Sequence, residues 1–386
     1  MMAWFRLLLT LFALQCALSL SQRRPVIVDT DLGQDMDDTW ALAYLLASPE
    51  VEVKLIVTSS RCTWGKARLL ATFLKELGRP DVAIGVGVAT SPPEPEAWAA
   101  RYCNGTGHEV GCSEGFFVGP AAAYSDATID LRSVHADGVR AMAEVLLASA
   151  SPVALVAIGP ATNLEALQRR FPQAASRADV FAMIGSFYRG YGRPAGSIVA
   201  EYNCRMDVHA ASAVFQNADH WRSLVLSPVD SCGGILLEGA NYKAFYDAAK
   251  APRGSSRGAK AVLRMYEVWH QQGCAQGFFC SCFDSAECLP SKASTVLYDL
   301  QPAYMVVAEA AAGSSAGWRR DIATKKLQVE VNSSGFTLAV DSAGGLSEVA
   351  LQWHPGGIER FYAELLKRLV PVQVSSELQR DPALIV

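Results

Sequence analysis

Apolar and polar residues alternate along this chain in blocks of two kinds. Short, continuously apolar runs predict strands at 25–28, 53–57, 82–88, 153–158, 180–184 and 224–226. Longer runs between them predict helices at 38–47, 66–77, 136–148, 162–171 and 208–217. Strands without a polar face, separated by helices, indicate an α/β fold with a mostly parallel central sheet flanked by helices. Ligands of such sheets bind beyond the carboxyl ends of the strands, so we expect the chemistry in the strand-to-helix loops.

Two long segments, 90–131 and 273–294, interrupt this alternation. Long loops inside a compact domain are usually functional or disordered. After them, 326–331 and 336–340 predict the two strands of a hairpin, and 358–369 predicts a last amphipathic helix. We find no linker and no internal repeat in the sequence, and therefore predict one domain over 22–386.

The N-terminus predicts a signal peptide over 1–21. Arg6 precedes an apolar stretch over 7–20, and the small residues Ser19 and Ser21 suit cleavage before Gln22. A signal anchor is the alternative, but the stretch is shorter than the roughly 20 apolar residues that a spanning helix needs. We therefore expect a protein that is secreted or lies in the lumen of the secretory pathway, with no stable membrane span.

Ten cysteines agree with an oxidising compartment, and nine remain if Cys16 leaves with the signal peptide. We expect disulfides among the cysteines of the two long segments, which are Cys103, Cys112, Cys274, Cys280, Cys282 and Cys288. Zinc is the alternative for the last four, although their spacing lacks the usual CxxC pairs. Asn104 and Asn332 begin N-x-S/T sequons, which predicts a glycoprotein if the chain is secreted.

Composition narrows the classes of function. The chain has 386 residues and is 51% hydrophobic, which is ample for a large core. The formal net charge of -4 provides no basic surface for nucleic acid, so nucleic acid is not an expected partner.

Five aspartates fall within ten residues directly after the first predicted strand: Asp29, Asp31, Asp35, Asp37 and Asp38. So many like charges repel one another and raise the pKa of each carboxyl unless a positive charge lies among them. A hard divalent cation with oxygen ligands is the natural partner. A helix cap would need only one aspartate, such as Asp37 or Asp38, and so does not explain five.

Two enzyme types share the beginning of this run. Asp29-Thr-Asp31 fits phosphatases of the haloacid dehalogenase type, in which the first Asp is the nucleophile, but the continuation through Gly33, Asp37 and Asp38 does not fit them. The whole run resembles the signature of the nucleoside hydrolase family (inosine-uridine preferring type), Asp-x-Asp-x-Gly-x-Asp-Asp. It has the form Asp-x-Asp-x-Gly-x-Asp-x-Asp-Asp, with two additional residues before the last pair.

Three further motifs extend the resemblance over roughly 25–369. Ile158-Gly-Pro-Ala-Thr-Asn163 is similar to the family's Gly-x-x-Thr-Asn turn. Ala200-Glu-Tyr-Asn203, with Asp207, is similar to its Ala-Glu-Phe-Asn-x-x-x-Asp motif. Leu297-Tyr-Asp-Leu300 stands where the family has His-Asp at the start of a helix. Four motifs in the family's order make the resemblance specific.

The resemblance implies calcium-dependent hydrolysis of the N-glycosidic bond of ribonucleosides to base and ribose. The calcium ligands that it implies are the carboxylates of Asp31, Asp38 and Asp299 and the backbone carbonyl of Ile158. The expected nucleophile is a water made more acidic by calcium, and the expected transition state is oxocarbenium-like. Homodimers or homotetramers are also implied.

Asp37 is the candidate general base, because it adjoins a ligand and is free to accept a proton from water. Asp35 is the rival, since the two additional residues leave the register open. Glu201 and Asn203 are implied ribose ligands, with a helix-capping turn as their alternative role. The predicted substrate site also includes Asp37 and Thr63. Thr63 stands where the family has an Asn.

The sequence departs from the family at the end of the site that holds the leaving base. Tyr298 replaces the His that often protonates this base, and a tyrosine hydroxyl has a reference pKa of about 10. His108 is an alternative donor, and a second family Asn is replaced by Ala195. These departures leave base and sugar preference open. They also motivate a second hypothesis, a non-catalytic extracellular protein that binds calcium and ribosyl groups.

Overall fold

The sheet that positions the site contains nine strands within the residues that the computed structural model describes, which are 23–90, 120–192, 195–252, 256–275, 289–314, 316–340 and 346–370. The strands are β1 (Arg24–Thr30), β2 (Val51–Thr58), β3 (Ala83–Val86), β4 (Val153–Ala157), β5 (Ala178–Ala182), β6 (Ser223–Leu226), β7 (Ile322–Val331), β8 (Thr337–Val340) and β9 (Ser347–Trp353). They lie side by side in the order β3-β2-β1-β4-β5-β6-β9-β7-β8.

The strands from β3 to β9 in this order are parallel, and β7 and β8 pair antiparallel with their neighbours. From β1 the chain continues to β2 on one side, and it later enters β4 on the other side. This reversal of direction opens a crevice at the carboxyl ends of β1 and β4. The crevice is where the aspartate run leaves β1.

The α-helices are α1 (Asp37–Ala47), α2 (Thr63–Leu77), α3 (Gly138–Ala148), α4 (Thr162–Arg170), α5 (Pro172–Ala175), α6 (Tyr202–Met206), α7 (Val208–Gln216), α8 (Val229–Cys232), α9 (Gly239–Lys250), α10 (Arg257–Ala275), α11 (Leu300–Ala312), α12 (Ala316–Arg319) and α13 (Gly357–Leu369). Short 3-10 helices span Pro120–Tyr124 and Ala218–His220. Most of these helices cover the two faces of the sheet.

Alternate residues of β1 point into two separate hydrophobic cores. Val26 and Val28 belong to the core under α1, α2, α10, α11 and α13, whereas Ile27 belongs to the core under α3, α4 and α7. Because both faces are buried, the strands have no polar face, which is the pattern that the sequence presents. The α/β prediction is therefore confirmed, as are the six strands from β1 to β6 and the helices between them.

The predicted C-terminal hairpin is also confirmed, since β7 pairs antiparallel with β8 and Val331 lies opposite Thr337. The longer elements β9, α9 and α10 were not predicted, and neither were the short helices α5, α6, α8 and α12. Helix α10 has a readable signal, because Val262, Tyr266 and Trp269 recur at helical spacing and are all buried. Strand β9 has little signal of its own, and its position between β6 and β7 is set by tertiary packing.

Within the described ranges, no helix is long and apolar enough to cross a membrane. The predictions for 1–21, Cys103, Cys112, His108 and the cysteines of 273–294 fall on residues or side chains outside those ranges, so they stay predictions. Cys204 and Cys232 are buried free thiols.

Candidate active site

Two of the sequence motifs meet at the carboxyl ends of β1 and β4. The N–H of Ile158 donates to the carbonyl of Asp29 at 2.8 Å. A Cβ on the next residue, Gly159, would lie 3.3 Å from the Cβ of Asp31 and would collide with the hydroxyl of Ser59. The missing side chain of Gly159 therefore allows the main chain after β4 to approach Asp31.

Three carboxylates converge in this crevice from two helix N-termini. Asp37 and Asp38 lie in the first turn of α1, and Asp299 stands at the N-cap position of α11 without making a capping hydrogen bond. One oxygen of each carboxylate lies within 4.8 Å of the others, and all three residues are buried. The N-terminal end of a helix carries partial positive charge, which stabilises carboxylates at these positions. We call these three together with Asp29, Asp31 and Asp35 the aspartate cluster.

Gln34 and Asp35 are the partly buried residues of the aspartate run and form the rim of the cluster. Asp35 is only partly buried, and its carboxylate accepts a hydrogen bond from the N–H of Met36 at 2.6 Å. The side-chain oxygen of Gln34 accepts from the hydroxyl of Tyr202 at 2.8 Å, and its carbonyl accepts from the indole N–H of Trp269 at 2.9 Å. Gln34 thus ties the aspartate loop to the Glu-Tyr-Asn motif and to α10.

A buried lysine that was not predicted lies beside the cluster. Lys66 is fully buried, and its ammonium group donates to the main-chain carbonyl of Asp31. Burial lowers the pKa of Lys66, and attraction to Asp31 and Asp38 opposes that shift. A signal was present in the sequence, because Lys66 shares one face of α2 with the buried residues Leu70 and Phe73.

Burial raises the pKa of every carboxyl in the cluster. Repulsion between the carboxylates adds to the shift at each of them except Asp31, where attraction to Lys66 opposes it. The pKa rises to about 7 for Asp29 and to about 6 for Asp35. For Asp37, Asp38 and Asp299 burial and repulsion raise the pKa well above its ordinary value. The cluster therefore retains protons near neutral pH unless a cation takes their place.

The donor set fits a hard divalent cation. The three converging groups are oxygen donors, which suit calcium or magnesium better than zinc. A cation between them would relieve the repulsion that raises their pKa. We call Asp37, Asp38 and Asp299 the converging group. It contains Asp37, predicted as the base, but not Asp31, which was predicted as a ligand and follows the end of β1. The individual ligand roles therefore stay predictions.

Removing divalent cations is expected to make the stability of the fold fall as pH rises. A carboxyl with a raised pKa stabilises the fold fully below its unfolded pKa near 4, and this contribution is lost as pH rises through the raised value. Asp29, whose pKa of about 7 arises mainly from burial, loses on the order of 4 kcal/mol with or without a cation, whereas Asp38 and Asp299 lose their contribution only when no cation holds them ionised. Calorimetric unfolding in chelator and in excess calcium, from about pH 4 to about pH 8, measures the difference. The two melting temperatures should diverge with rising pH, and a constant difference would contradict the expectation.

Asn163 joins the ends of three strands beneath the cluster. Its Nδ2 donates to Oδ1 of Asp29 at 2.9 Å and to the carbonyl of Thr58 at 3.2 Å, while its Oδ1 accepts from the N–H of Val88 at 2.8 Å. Both atoms of the amide are used, so the Thr-Asn turn fixes Asp29 at the end of β1. This geometry agrees with a supporting role for Asp29.

Glu201 caps α6 and is 1% exposed. Its carboxylate accepts from the N–H groups of Gly185, Asn203 and Cys204 at 3.1, 2.9 and 3.1 Å and from the hydroxyl of Tyr191 at 3.3 Å. The helix-capping role that was the alternative for Glu201 is therefore present in the fold. Ribose binding by the same carboxylate stays a prediction.

The other predicted substrate ligands have defined positions. Asn203 is buried, and its Nδ2 donates to the carbonyl of Met183 at the end of β5, at 3.0 Å. Asp207 caps α7 and accepts from the hydroxyl of Thr162 at 2.7 Å, which joins the Glu-Tyr-Asn motif to the Thr-Asn turn. Thr63 is buried at the start of α2.

Tyr298 is buried immediately before Asp299 and is 7% exposed. Its ring packs edge-to-face on the ring of Tyr191, with 5.5 Å between the ring centroids. Tyr191 in turn contacts Glu201, so the two tyrosines link the aspartate cluster to the Glu-Tyr-Asn motif.

Comparison with known families and curated proteins adds independent evidence. The sequence model described as inosine-uridine preferring nucleoside hydrolase matches residues 26–354. The pyrimidine-specific ribonucleoside hydrolase RihA of Salmonella paratyphi B is 31% identical over 226 residues, which are 58% of this chain and 66% of that protein. RihA of Salmonella enteritidis is 34% identical over 196 residues, which are 50% of this chain and 57% of that protein. The chain thus spans less than two thirds of the length of these relatives.

Solved structures share the fold at lower identity. A plant nucleoside hydrolase has a TM-score of 0.65 at 19% identity, covering 90% of this chain and 99% of that chain. The purine-preferring ribonucleoside hydrolase of Gardnerella vaginalis has a TM-score of 0.64 at 17% identity, covering 90% and 98%. These likenesses establish the architecture of the sheet and its helices.

Proposed function

Because the chain belongs to the inosine-uridine preferring nucleoside hydrolase family, we propose that it hydrolyses the N-glycosidic bond of ribonucleosides to give base and ribose. The convergence of Asp37, Asp38 and Asp299 at the carboxyl ends of the strands is the observation that carries this proposal. The continuation of the aspartate motif and the family match both speak against the phosphatase alternative.

Calcium is the proposed cation, held by Asp31, Asp38, Asp299 and the carbonyl of Ile158. The oxygen donors, their burial and the close approach of Gly159, the residue after Ile158, to Asp31 support this set. A bound calcium supplies Lewis acidity that makes a water ligand more acidic. Lys66 holds the main chain of Asp31 in place and balances part of the negative charge.

Asp37 is the proposed general base. It lies among the converging carboxylates, whereas Asp35 lies at the partly exposed rim. With a cation held by its neighbour Asp38, an ionised Asp37 would be placed to remove a proton from water. The surrounding carboxylates stabilise the positive charge that develops on the sugar ring in an oxocarbenium-like transition state.

Glu201, Asn203 and Thr63 are the proposed ribose ligands, together with Asp37. Tyr298 is the proposed hydrogen-bond donor to the leaving base, because it adjoins Asp299 and carries a hydroxyl where the family has an imidazole. A phenol is a weaker acid than an imidazolium and protonates a leaving base less readily, so bases that leave with little help should be preferred.

Secretion is also proposed, on the basis of the predicted signal peptide over 1–21, the predicted disulfides and the sequons. Asn332 supports glycosylation, because it is exposed in the turn between β7 and β8. Its Oδ1 accepts from the N–H groups of Ser334 and Phe336, both at 3.0 Å, which fixes the side chain at the surface. Homodimers or homotetramers remain a proposal from the family resemblance.

A panel of purine and pyrimidine nucleosides, assayed by chromatography with calcium and with chelator, tests the proposed function. Free base should appear only when calcium is present, and no base release from any nucleoside would overturn the proposal. Calorimetry on the same panel distinguishes an enzyme from the non-catalytic alternative, because a non-catalytic protein would bind nucleoside without releasing base.

A further inference from the structure

The carboxylate of Glu201 is already saturated with hydrogen bonds. A carboxylate has about four acceptor positions, and Glu201 accepts four hydrogen bonds. Its Oε1 accepts from the N–H of Asn203 and the hydroxyl of Tyr191, and its Oε2 accepts from two further N–H groups. A ribose hydroxyl can therefore reach Glu201 only by displacing one of these donors.

Tyr191 is the donor that gives way most easily. The other three donors are main-chain N–H groups, two in the first turn of α6 and one at Gly185, and they cannot turn away without moving the backbone. The bond from Tyr191 is the longest of the four, at 3.3 Å, and hydrogen bonds weaken with length. A phenol hydrogen can also turn to its second in-plane orientation without movement of the ring.

The phenol keeps a partner when it loses Glu201. Its oxygen accepts from the N–H of Tyr202 at 2.9 Å, and its ring rests edge-to-face on Tyr298. The loop that carries it is also held: the carboxylate of Asp230 accepts from two N–H groups of this loop, at Phe187 and Tyr188, at 2.9 and 2.7 Å. Displacement would therefore change one hydrogen bond and leave the loop in place.

We propose that Tyr191 determines sugar specificity: its hydroxyl occupies Glu201 when no substrate hydroxyl does, so that sugars lacking one ribose hydroxyl are tolerated. This inference rests on the proposed ribose role of Glu201. A site built to bind a hydroxyl normally rejects analogues without it, because a buried polar group is then left unpaired. Here Glu201 stays paired with Tyr191 when that hydroxyl is missing, so the penalty is small.

Kinetics with 2′-, 3′- and 5′-deoxy analogues of the best nucleoside substrate test the proposal in the wild type, Tyr191→Phe and the control Tyr188→Phe. Tyr188 lies in the same loop and is exposed. In Tyr191→Phe the discrimination in kcat/KM against one deoxy analogue should rise about tenfold or more, because one buried acceptor position of Glu201 is then empty when the sugar lacks the hydroxyl. Tyr188→Phe should leave it unchanged. The N–H of Tyr202 also loses its acceptor in Tyr191→Phe, but this affects ribo and deoxy substrates alike and cancels in the ratio.

The proposal would be overturned if Tyr191→Phe left the ratio of kcat/KM for the ribonucleoside to kcat/KM for the analogue unchanged for all three analogues. A lower ratio would also overturn it, and would make Tyr191 a direct ribose ligand. If Tyr191→Phe fails to fold, the wild type alone decides, since it should accept one analogue within about tenfold of the ribonucleoside. Calorimetric titration of the calcium-loaded protein with ribose and deoxyriboses separates this inference from the proposed function. If Tyr191→Phe changes the preference for ribose over a deoxyribose in a protein that releases no base, this inference holds and the proposed function fails. If base is released but the preference does not change, the proposed function holds and this inference fails.

Discussion

Replacing Asp38 with Asn is expected to lower base release by at least about a thousandfold and to weaken calcium binding. Asp38 is 2% exposed, lies in the converging group and accepts a hydrogen bond from the hydroxyl of Thr30. Asn keeps the size of the side chain but removes one negative charge and one oxygen donor. The loss therefore measures the electrostatic contribution of this residue to holding the cation.

The effect is measured as kcat/KM with saturating calcium, alongside calcium affinity by calorimetry. Asp81→Asn is the matched control. Asp81 is an exposed aspartate paired with Arg79, and it lies before the amino end of β3, whereas the crevice lies at the carboxyl ends of the strands. The control should keep wild-type activity and calcium affinity. An Asp38→Asn protein that bound calcium and released base as the wild type does would remove Asp38 from the site.

The second large effect is expected at the general base. Asp37→Asn should lower kcat by about a thousandfold, since removing a base that accepts a proton in the transition state costs 10²–10⁴-fold. Asp35→Asn should lower it by less than about tenfold, because Asp35 lies at the rim and outside the converging group. The two variants are matched in chemistry and lie two residues apart.

Steady-state kinetics over pH at saturating calcium distinguish the two aspartates. The variant that lacks the base should lose the acidic limb of the pH profile of kcat, and the other should keep it. A large loss in Asp35→Asn with little loss in Asp37→Asn would assign the base to Asp35, in agreement with the alternative register of the motif.

Much of the fold was predictable because the parallel strands are buried on both faces. Residues such as Val26, Ile27 and Val28 give a continuous apolar run, and this run both defines β1 and shows that helices cover the two sides. The strand-to-helix loops then follow, and the aspartate run falls in the first of them. Strand β9 was not predictable in this way, because its place beside β6 depends on contacts distant in sequence.

The candidate site was only partly predictable. Asp37 and Asp38 are readable from their density and position, but Asp299 was identified only through the family resemblance, since about 260 residues separate it from them. Lys66 was not predicted as part of the site, and the contact of Tyr191 with Glu201 was not predicted either. A lysine on an apolar helix face signals burial but not its partner, and the contact between Tyr191 and Glu201 depends on the path of the loop after β5.

The central claim is that the aspartate cluster holds one calcium ion on which base release depends. Titrating calcium into fully chelated protein, while recording bound calcium and base release from one nucleoside, tests it most directly. Base release should be absent at the start and should rise in proportion to binding, reaching its maximum at about one calcium per chain. Full base release from protein without bound divalent cation would contradict the claim.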